Sequence, residues 1–502
     1  MTQTHKFANF GFTRKSGILM HVSSLPSPYG IGNFGKQAYE FVDFLTATGQ
    51  KCWQVLPLNP TTYGDSPYQS PASLAGNPYF IDPELLHQQK LLTKIDLKNA
   101  RDTSVWVNYG KLFDNRFALL RKAYSRFQPD EQFKSFCKKN KSWLDDYALF
   151  MALKVKYNHS HWTSWSDVDK DVAQARKTAS QHKAEMDFWK WIQFAFRQQW
   201  DNLKDYAHQK GLVIIGDMPI YVAHDSVDVW KDPSQFLLDD NYVPTVVAGC
   251  PPDPFSKDGQ LWGNPIYDWE KMRQQGFSWW VERVKASFQL YDVLRIDHFR
   301  GFSSYYSIPY GEENAVNGRW NVAPGKELFD VLKTAVPKAK IIAEDLGFVS
   351  QDVRDLLKYT QFPGMKILQF AFGEDNAEYL PRMYTAENCI VYSGSHDSDC
   401  TTSWIKELPD DCKKRFDKEC WNGVGQTRTY DVIELAMKSI ANLAVIPMQD
   451  YLNLTNEKGR MNIPSVPVGN WQWRAKPNYI TEKLTKDIAQ MTKKCRRFYK
   501  SK

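Results

Sequence analysis

Short apolar runs recur along the chain, and several lack the alternation of polar and apolar positions that a half-exposed strand shows. Unbroken runs of this kind are typical of strands buried on both faces. Helical periodicity follows most of them, for example over Gln37–Thr48, Ser350–Tyr359 and Asp431–Ser439. The runs predict eight strands: Gly17–His21, Cys52–Leu56, Leu212–Asp217, Asp292–Asp297, Lys340–Glu344, Met365–Phe372, Cys389–Ser393 and Leu443–Gln449.

Alternating strands and helices imply a parallel sheet, and eight such units imply closure into a (β/α)8 barrel. The units are unevenly spaced, so we expect one catalytic domain over 1–502 with two insertions. The stretch at about 83–210 has helical periodicity, as in Trp143–Phe150 and Phe188–Phe196, and predicts a helical subdomain. The stretch at about 221–290 contains the Pro- and Gly-rich segment Ala248–Ser256, which predicts an ordered loop acting as a lid or substrate-binding wall.

Composition narrows the class of protein. The net charge is only +7 in 502 residues, and the basic cluster 493–502 predicts the solvated end of a last helix rather than a nucleic-acid site. The eight cysteines include no CxxC pair, and Cys52 and Cys389 lie in apolar runs. We therefore expect a reduced, cytoplasmic protein with neither a signal peptide nor a membrane span. The 18 Trp residues mostly predict core packing, although such rings also stack on sugars.

Three carboxylates stand at or just beyond the ends of three predicted strands: Asp297, Glu344 and Asp397. Parallel strands deliver the residues at their carboxyl ends to one face of a barrel, where such barrels carry their chemistry. Converging carboxylates are what glycosidic-bond chemistry requires. The pattern therefore indicates an enzyme acting on sugars.

Asp297 is the best candidate for a nucleophile. Arg295 lies two residues earlier, so in a strand it points to the same side and should keep Asp297 ionised. His298 and Arg300 add donors for sugar hydroxyls. A purely structural Asp–Arg pair at a strand end is the competing interpretation.

Glu344 follows an apolar strand, and an apolar wall raises a carboxyl pKa, as a general acid needs at neutral pH. The alternative is that Glu344 caps the following helix. Asp397 follows His396, and the pair could bind adjacent hydroxyls of one sugar or merely cap a loop. Asp217 ends a fourth strand and could join the site.

Other chemistries have little support in the sequence. A metal site is an alternative interpretation of so many acids and histidines, but neither an HExxH motif nor an EF-hand spacing occurs. Acyl transfer through a Ser–His–Asp triad lacks a GxSxG elbow. We therefore expect no metal and no cofactor.

Several longer motifs make the chain recognisable. It resembles the 4-α-glucanotransferase family, also called amylomaltase or disproportionating enzyme, over nearly its whole length. The motifs that carry the resemblance are Ser16-Gly-Ile-Leu-Met-His-Val-Ser-Ser-Leu-Pro26, Thr62-Tyr-Gly-Asp-Ser-Pro-Tyr-Gln-Ser70, Ala75-Gly-Asn-Pro78, Gly259-Gln-Leu-Trp-Gly-Asn-Pro265 and Val468-Gly-Asn-Trp-Gln-Trp-Arg474.

The resemblance implies a barrel without a C-terminal β-sandwich, acting on α-1,4-glucans and glucose without a cofactor. It implies that Asp297 is the nucleophile, Glu344 the acid/base and Asp397 the transition-state stabiliser. Further positions match the family's substrate-binding residues: Tyr63, Asp217, Asp253, Phe255, Trp262, Asn264, Arg295, His298, Phe370, His396 and Asn470.

The chain departs from the family pattern at two loops. Pro254 stands where the family often has a Tyr, so a ring that could cover the acceptor sugar is missing. The loop Gly394-Ser-His-Asp-Ser-Asp399 replaces a more usual Gly-Thr-His-Asp-Asn-Asp, polar for polar. An α-1,4-glucan hydrolase and a non-catalytic glucan-binding protein are the alternative functions.

Overall fold

The computed structural model describes residues 7, 10–62, 64–252, 257–347, 349–373, 377–420 and 427–499. These residues form twelve strands: β1 (Lys15–Leu19), β2 (Cys52–Gln54), β3 (Val213–Met218), β4 (Val246–Cys250), β5 (Gln260–Pro265), β6 (Val293–Ile296), β7 (Ser304–Pro309), β8 (Arg319–Val322), β9 (Ile341–Ala343), β10 (Gly364–Ile367), β11 (Cys389–Tyr392) and β12 (Leu443–Pro447).

The same residues form twenty α-helices: α1 (Lys36–Ala47), α2 (Pro83–Gln88), α3 (Lys94–Asn99), α4 (Tyr109–Tyr124), α5 (Glu131–Lys139), α6 (Lys141–Lys156), α7 (Asp167–Lys170), α8 (Val172–Thr178), α9 (Lys183–Gln209), α10 (Val227–Lys231), α11 (Trp269–Gln274), α12 (Ser278–Leu290), α13 (Gly325–Ala335), α14 (Gln351–Thr360), α15 (Thr401–Glu407), α16 (Asp410–Cys420), α17 (Arg428–Lys438), α18 (Met448–Tyr451), α19 (Asn456–Gly459) and α20 (Glu482–Lys494). Short 3₁₀ turns occupy Val22–Ser24, Pro78–Phe80, Trp162–Ser164, Ala179–His182, Pro233–Gln235, Phe299–Phe302, Leu368–Phe370, Ala377–Tyr379 and Pro381–Met383.

Eight parallel strands form the barrel, in the order β10-β11-β12-β1-β2-β3-β6-β9. All eight coincide, within a few residues, with the runs predicted from the sequence, and the (β/α)8 architecture is confirmed. The ring closes between β9 and β10, where Ala343 N donates to Pro363 O at 3.0 Å. The Asp345 carboxylate accepts from Met365 N at 2.7 Å across the same junction.

The barrel strands are hydrophobic on both faces because helices cover them from outside and side chains fill them from inside. Ile342, Val391 and Val445 are fully buried, as the lack of alternation predicted. Each such side chain stabilises the fold by about 1.5–3 kcal/mol relative to its exposed state. The barrel is therefore a rigid platform for whatever its carboxyl ends carry.

The stretch between β2 and β3 is helical and contains α2 to α9. Its longest helix, α9, packs against α1, α6 and β3 and buries Trp191 and Trp200. The amphipathic segments noted in the sequence lie within α6 and α9.

A four-stranded antiparallel sheet, in the order β5-β4-β7-β8, adds an element that the sequence analysis did not predict. The expected loop over Ala248–Ser256 is in part strand, because β4 runs to Cys250 and pairs with both β5 and β7. The partner strands β7 and β8 lie beyond β6 in the chain, so the local Pro- and Gly-rich pattern could not reveal the pairing.

The C-terminal segment differs from the expected solvated helix end. Arg497 is completely buried, and its guanidinium donates to the carbonyls of Met437, Lys15 and Ser439 at 2.7–2.8 Å. The described residues after β12 form helices and no strand. None of the described helices combines the length and hydrophobicity that a bilayer crossing requires.

Candidate active site

Three of the carboxylates predicted from the sequence come from adjacent barrel strands. Asp217 lies in β3, Asp297 directly follows β6, and Glu344 directly follows β9. β6 pairs with β3 on one side and with β9 on the other. Asp397 lies in the loop after β11. All four therefore stand at the carboxyl edge of one barrel.

Arg295 links two of these acids. It is the register partner of Asp217 on the neighbouring strand and lies two residues before Asp297 on its own strand. Its Nη1 donates to Asp217 Oδ1 and Oδ2 at 2.8 and 2.7 Å and to Asp297 Oδ1 at 3.0 Å. Arg295 and Asp217 are almost fully buried, whereas Asp297 keeps 26 % of its side chain exposed to the cleft.

Glu344 is held by backbone donors. His298 N donates to Oε2 at 2.7 Å and Leu346 N donates to Oε1 at 3.1 Å. His298 adopts the left-handed conformation, with φ 49° and ψ 49°, at the sharp turn that follows Asp297. The helix after β9 is capped at Ser350, so the alternative that Glu344 caps it is wrong.

The two acids have different proton affinities. Burial raises the pKa of Glu344 to about 7, although Arg295 and the two backbone donors oppose the shift. Burial also raises the pKa of Asp297 to about 6, while Arg295 opposes it from direct contact. Near neutral pH the pair can therefore hold one carboxylic acid, at Glu344, beside one carboxylate, at Asp297.

Asp397 lies in a strongly polar environment. Asn462 Nδ2 donates to Asp397 Oδ1 at 2.6 Å, and His396 Nε2 lies 3.2 Å from Oδ2. Burial opposes ionisation, but His396 and Asn462 hold the pKa of Asp397 well below its usual range. Conversely, Asp397 raises the pKa of His396 against the effect of burial. The sequence analysis did not identify Asn462, which lies in an irregular segment after α19.

Tyr68 is a second residue that the sequence analysis missed. Its hydroxyl lies 2.8 Å from Asp217 Oδ2 and 2.9 Å from His396 Nε2, and its ring stacks on His396 with centroids 5.3 Å apart. Tyr68 stands in the motif Thr62–Ser70 that carried the resemblance, so the motif was the available signal. Only the fold shows that this tyrosine bridges Asp217 in β3 and His396 in the loop after β11.

Three further predicted residues have the following contacts. The Trp262 ring meets His298 edge to face, with centroids 4.8 Å apart. Asn264 is buried and donates to Val222 O at 2.8 Å. Phe370 packs against Tyr379, with ring centroids 5.7 Å apart.

The Asn470 amide contacts its own loop, accepting from Ile463 N and donating to Val466 O. The structure thus engages this amide with backbone groups rather than leaving it exposed in the cleft. The predicted residues Tyr63, Asp253 and Phe255 lie outside the described residues, as does Pro254.

This arrangement defines a class of enzyme. A (β/α)8 barrel that gathers a protonated and an ionised carboxyl group at its carboxyl edge has the groups that cleavage of a glycosidic bond needs. Tyrosine, histidine and arginine side chains around the acids supply hydrogen-bonding partners for sugar hydroxyls.

Comparison with known proteins narrows this class to one family. The family model described as 4-alpha-glucanotransferase matches residues 20–481. The 4-alpha-glucanotransferase of Clostridium butyricum is 48% identical over 493 residues, covering 94% of this chain and 99% of that protein. The chain belongs to the 4-alpha-glucanotransferase family.

Solved structures agree with this assignment. The amylomaltase from Streptococcus agalactiae, in complex with acarbose, superimposes with a TM-score of 0.93 at 38% identity and covers 97% of this chain and 100% of its own. The amylomaltase from Corynebacterium glutamicum is only 17% identical, with a TM-score of 0.74 over 97% of this chain and 75% of its own, and shows the shared fold.

Proposed function

We propose that this 4-alpha-glucanotransferase moves α-1,4-glucan segments from a donor maltodextrin to the 4-hydroxyl of an acceptor glucan or glucose by retaining double displacement. The observation that carries the mechanism is the contrast between the two acids: Asp297 touches a buried guanidinium, whereas Glu344 accepts from the backbone amides of His298 and Leu346. A nucleophile and a general acid need this contrast in pKa.

In the first half-reaction the Asp297 carboxylate attacks the anomeric carbon while Glu344 donates its proton to the glycosidic oxygen. The carbon–oxygen bond breaks, and the fragment carrying the reducing end leaves with that proton. A covalent glucosyl ester on Asp297 remains, with inverted configuration. Glu344 is then a carboxylate.

In the second half-reaction an acceptor glucan or glucose enters. Glu344 removes the proton from its 4-hydroxyl as the oxygen attacks the anomeric carbon, and Asp297 departs as a carboxylate. The second inversion restores the α configuration, and the enzyme returns to its starting protonation state. No net hydrolysis occurs as long as sugar, rather than water, is the acceptor.

The surrounding residues stabilise the charged sugar. Asp397 is held ionised and is suited to stabilise an oxocarbenium-like transition state. We assign the binding of sugar hydroxyls at the cleavage point to Asp217, Tyr68, His298 and His396. Further binding positions are assigned by the family pattern: Tyr63, Asp253, Phe255, Trp262, Asn264, Phe370 and Asn470.

The first experiment is incubation of the purified enzyme with maltotriose, following free glucose, total reducing ends and chain lengths. Transfer produces glucose and longer maltodextrins at constant total reducing ends. A rise in reducing ends would indicate a hydrolase instead. The absence of any product from maltotriose and longer glucans would favour a glucan-binding protein.

Two variants separate the roles of the acids. Asp297→Asn should abolish transfer, because no covalent ester can form. Glu344→Gln should be inactive on maltotriose but should still react with a maltosyl fluoride, because fluoride leaves without a proton. A maltosyl-enzyme should then accumulate and be visible by intact mass spectrometry. Transfer at the wild-type rate by Asp297→Asn would refute the assignment of the nucleophile.

A further inference from the structure

Arg460, from the segment after α19, contacts the loop that carries Asp397 at more than one point. Arg460 Nη2 donates to Asp397 O at 2.9 Å, and Arg460 Nε donates to Asn462 O at 2.7 Å. Arg460 Nη1 forms an ion pair with Asp399 Oδ1. One guanidinium thus contacts the acid's own backbone, the residue that binds the acid, and a second carboxylate.

We propose that Arg460 and Asp399 form a positioning clasp that orients the Asp397 carboxylate and thereby sets kcat. Neither residue is placed in contact with the sugar; both act through Asp397. The inference rests on the proposed role of Asp397 in stabilising the transition state.

The contacts of Asn462 explain how Arg460 influences the orientation of the Asp397 carboxylate. Asn462 Nδ2 donates to Asp397 Oδ1 at 2.6 Å, and Asn462 N donates to His396 O at 3.2 Å. Because Arg460 holds the carbonyl of Asn462, its guanidinium fixes the position of the donor that fixes Asp397. Losing the guanidinium frees the acid loop and this donor together.

Asp399 anchors the other end of the clasp. Asn456 Nδ2 donates to Asp399 Oδ1 at 2.8 Å, and Asn456 Oδ1 accepts from Cys400 N at 2.8 Å. Asn456 Nδ2 and Arg460 Nη1 therefore meet the same oxygen of the Asp399 carboxylate, and Asn456 also bonds the backbone of the next residue. These contacts tie Asp399 and Arg460 to the same short segment after β12.

The chemistry requires an arginine at position 460. Its planar fork sends donors in three directions at once, whereas a lysine ammonium is a compact point charge on a flexible stem. The Arg460 side chain is only 14 % exposed, so water cannot readily replace the lost contacts. Arg460→Lys should therefore keep the charge and lose the alignment.

Charged and titratable groups face Asp397 from several elements. They are His396 at 3.2 Å, Tyr68 from the loop after β2, and Arg295 and Asp297 from β6 and its end. The donation from Asn462 contributes to lowering the pKa of Asp397. Displacing Asn462 should therefore raise the pKa of Asp397, but this acid stays ionised over the pH range of the assay, and the acidic limb, which reports Asp297, should keep its position.

The test compares Arg460→Lys, Arg460→Gln and Asp399→Asn in the maltotriose assay. We expect kcat to fall by about 100-fold, the usual cost of a small misplacement of a reacting group. KM should stay close to wild type, the acidic limb should stay in place because it reports Asp297, and the thermal midpoint should change little. The double variant Arg460→Gln/Asp399→Asn should be no worse than either single variant, because both break one clasp.

A matched control is Arg273→Gln, which breaks an exposed arginine–carboxylate pair with Glu327. It should leave kcat, KM and the pH profile unchanged. If the folded clasp variants behave like this control, the inference is wrong. It is equally wrong if they lose activity only in proportion to unfolding, or if all three fail to fold, since Arg460 is then a folding residue.

Asp397→Asn separates this inference from the proposed function. An inactive Asp397→Asn beside fully active clasp variants overturns only the clasp. An Asp397→Asn variant with wild-type kcat overturns the role of Asp397 itself.

Discussion

Replacing Asp217 by asparagine should move the acidic limb of the activity profile to lower pH. Asp217 and Asp297 share Arg295 Nη1, at 2.7 and 3.0 Å, and the negative charge of Asp217 raises the pKa of Asp297. Asparagine keeps the shape and an oxygen that accepts from Arg295 but removes the charge. Arg295 then stabilises the Asp297 carboxylate without the opposing charge of Asp217.

The size of the shift follows from the geometry. Two carboxylate oxygens bound to one nitrogen lie within roughly 6 Å of each other, where like charges repel by about 3 kcal/mol at an effective dielectric constant of about 20. That energy corresponds to about two pKa units, and water in the cleft reduces it to about one. The pKa of Asp297, about 6 in the native enzyme, should therefore fall.

The role of each acid determines the direction in which the limbs of the pH profile move. Activity requires Asp297 to be ionised, so a lower pKa preserves activity at more acidic pH. The basic limb reports Glu344, which has a pKa of about 7 and must remain protonated to act as the general acid. Its main charged neighbours are Arg295 and Asp297, so this limb should stay in place and serve as an internal control.

The assay is kcat/KM for maltotriose disproportionation between about pH 4.5 and 8.5, because kcat/KM reports the ionisation of the free enzyme. Loss of a sugar contact will lower the amplitude but not the position of the limbs. Asp43→Asn, the same change of charge on α1, should move neither limb. An acidic limb that stays at its wild-type pH in folded Asp217→Asn would refute the reasoning.

Three further substitutions test other parts of the structure. Tyr68→Phe removes a hydroxyl that joins two strands at the site, and kcat/KM for maltotriose should fall about 10- to 100-fold, in line with about 1.5–3 kcal/mol for a hydrogen bond to a charged group. Arg497→Ala leaves buried carbonyls unpaired and should lower the free energy of unfolding in urea by about 3 kcal/mol, whereas the exposed Arg496→Ala should change it by less than about 0.5 kcal/mol. Gly364→Ala places a methyl group against the Asp345 carboxylate at the barrel closure, and its free energy of unfolding should fall by about 1–3 kcal/mol.

Each of these three predictions would be contradicted by a specific result. Wild-type kcat/KM in Tyr68→Phe would mean that its hydroxyl contributes nothing to the transition state. Equal stability of the two arginine variants would contradict the buried contacts of Arg497. An unchanged free energy of unfolding in Gly364→Ala would show that the carboxylate moves aside without cost.

The barrel could be predicted from sequence because a strand buried on both faces leaves a local signature. The unbroken apolar runs at Ile341–Ala343 and Cys389–Tyr392 needed no information from elsewhere in the chain. The positions of the acids followed, since parallel strands place their ends at one edge. Local patterns therefore located Asp297 and Glu344 at the ends of their strands.

What could not be predicted depends on pairings between distant segments. The strand pairing of β4 requires β7, which lies beyond a barrel strand. Asn462 meets Asp397 only because the chain after β12 returns to the loop after β11. Arg497 resembles its solvated neighbours in sequence, and only tertiary packing distinguishes it from them.

The four-stranded sheet has a consequence for exchanging parts between related enzymes. Two of its strands precede β6 and two follow it, so the chain leaves the sheet, forms the strand that ends at Asp297, and returns. A chimaera that transplants only the stretch between β3 and β6 would set a foreign half-sheet against a native one, directly beside the nucleophile. The modular unit of this fold therefore comprises two separate chain segments, and recombination must carry both.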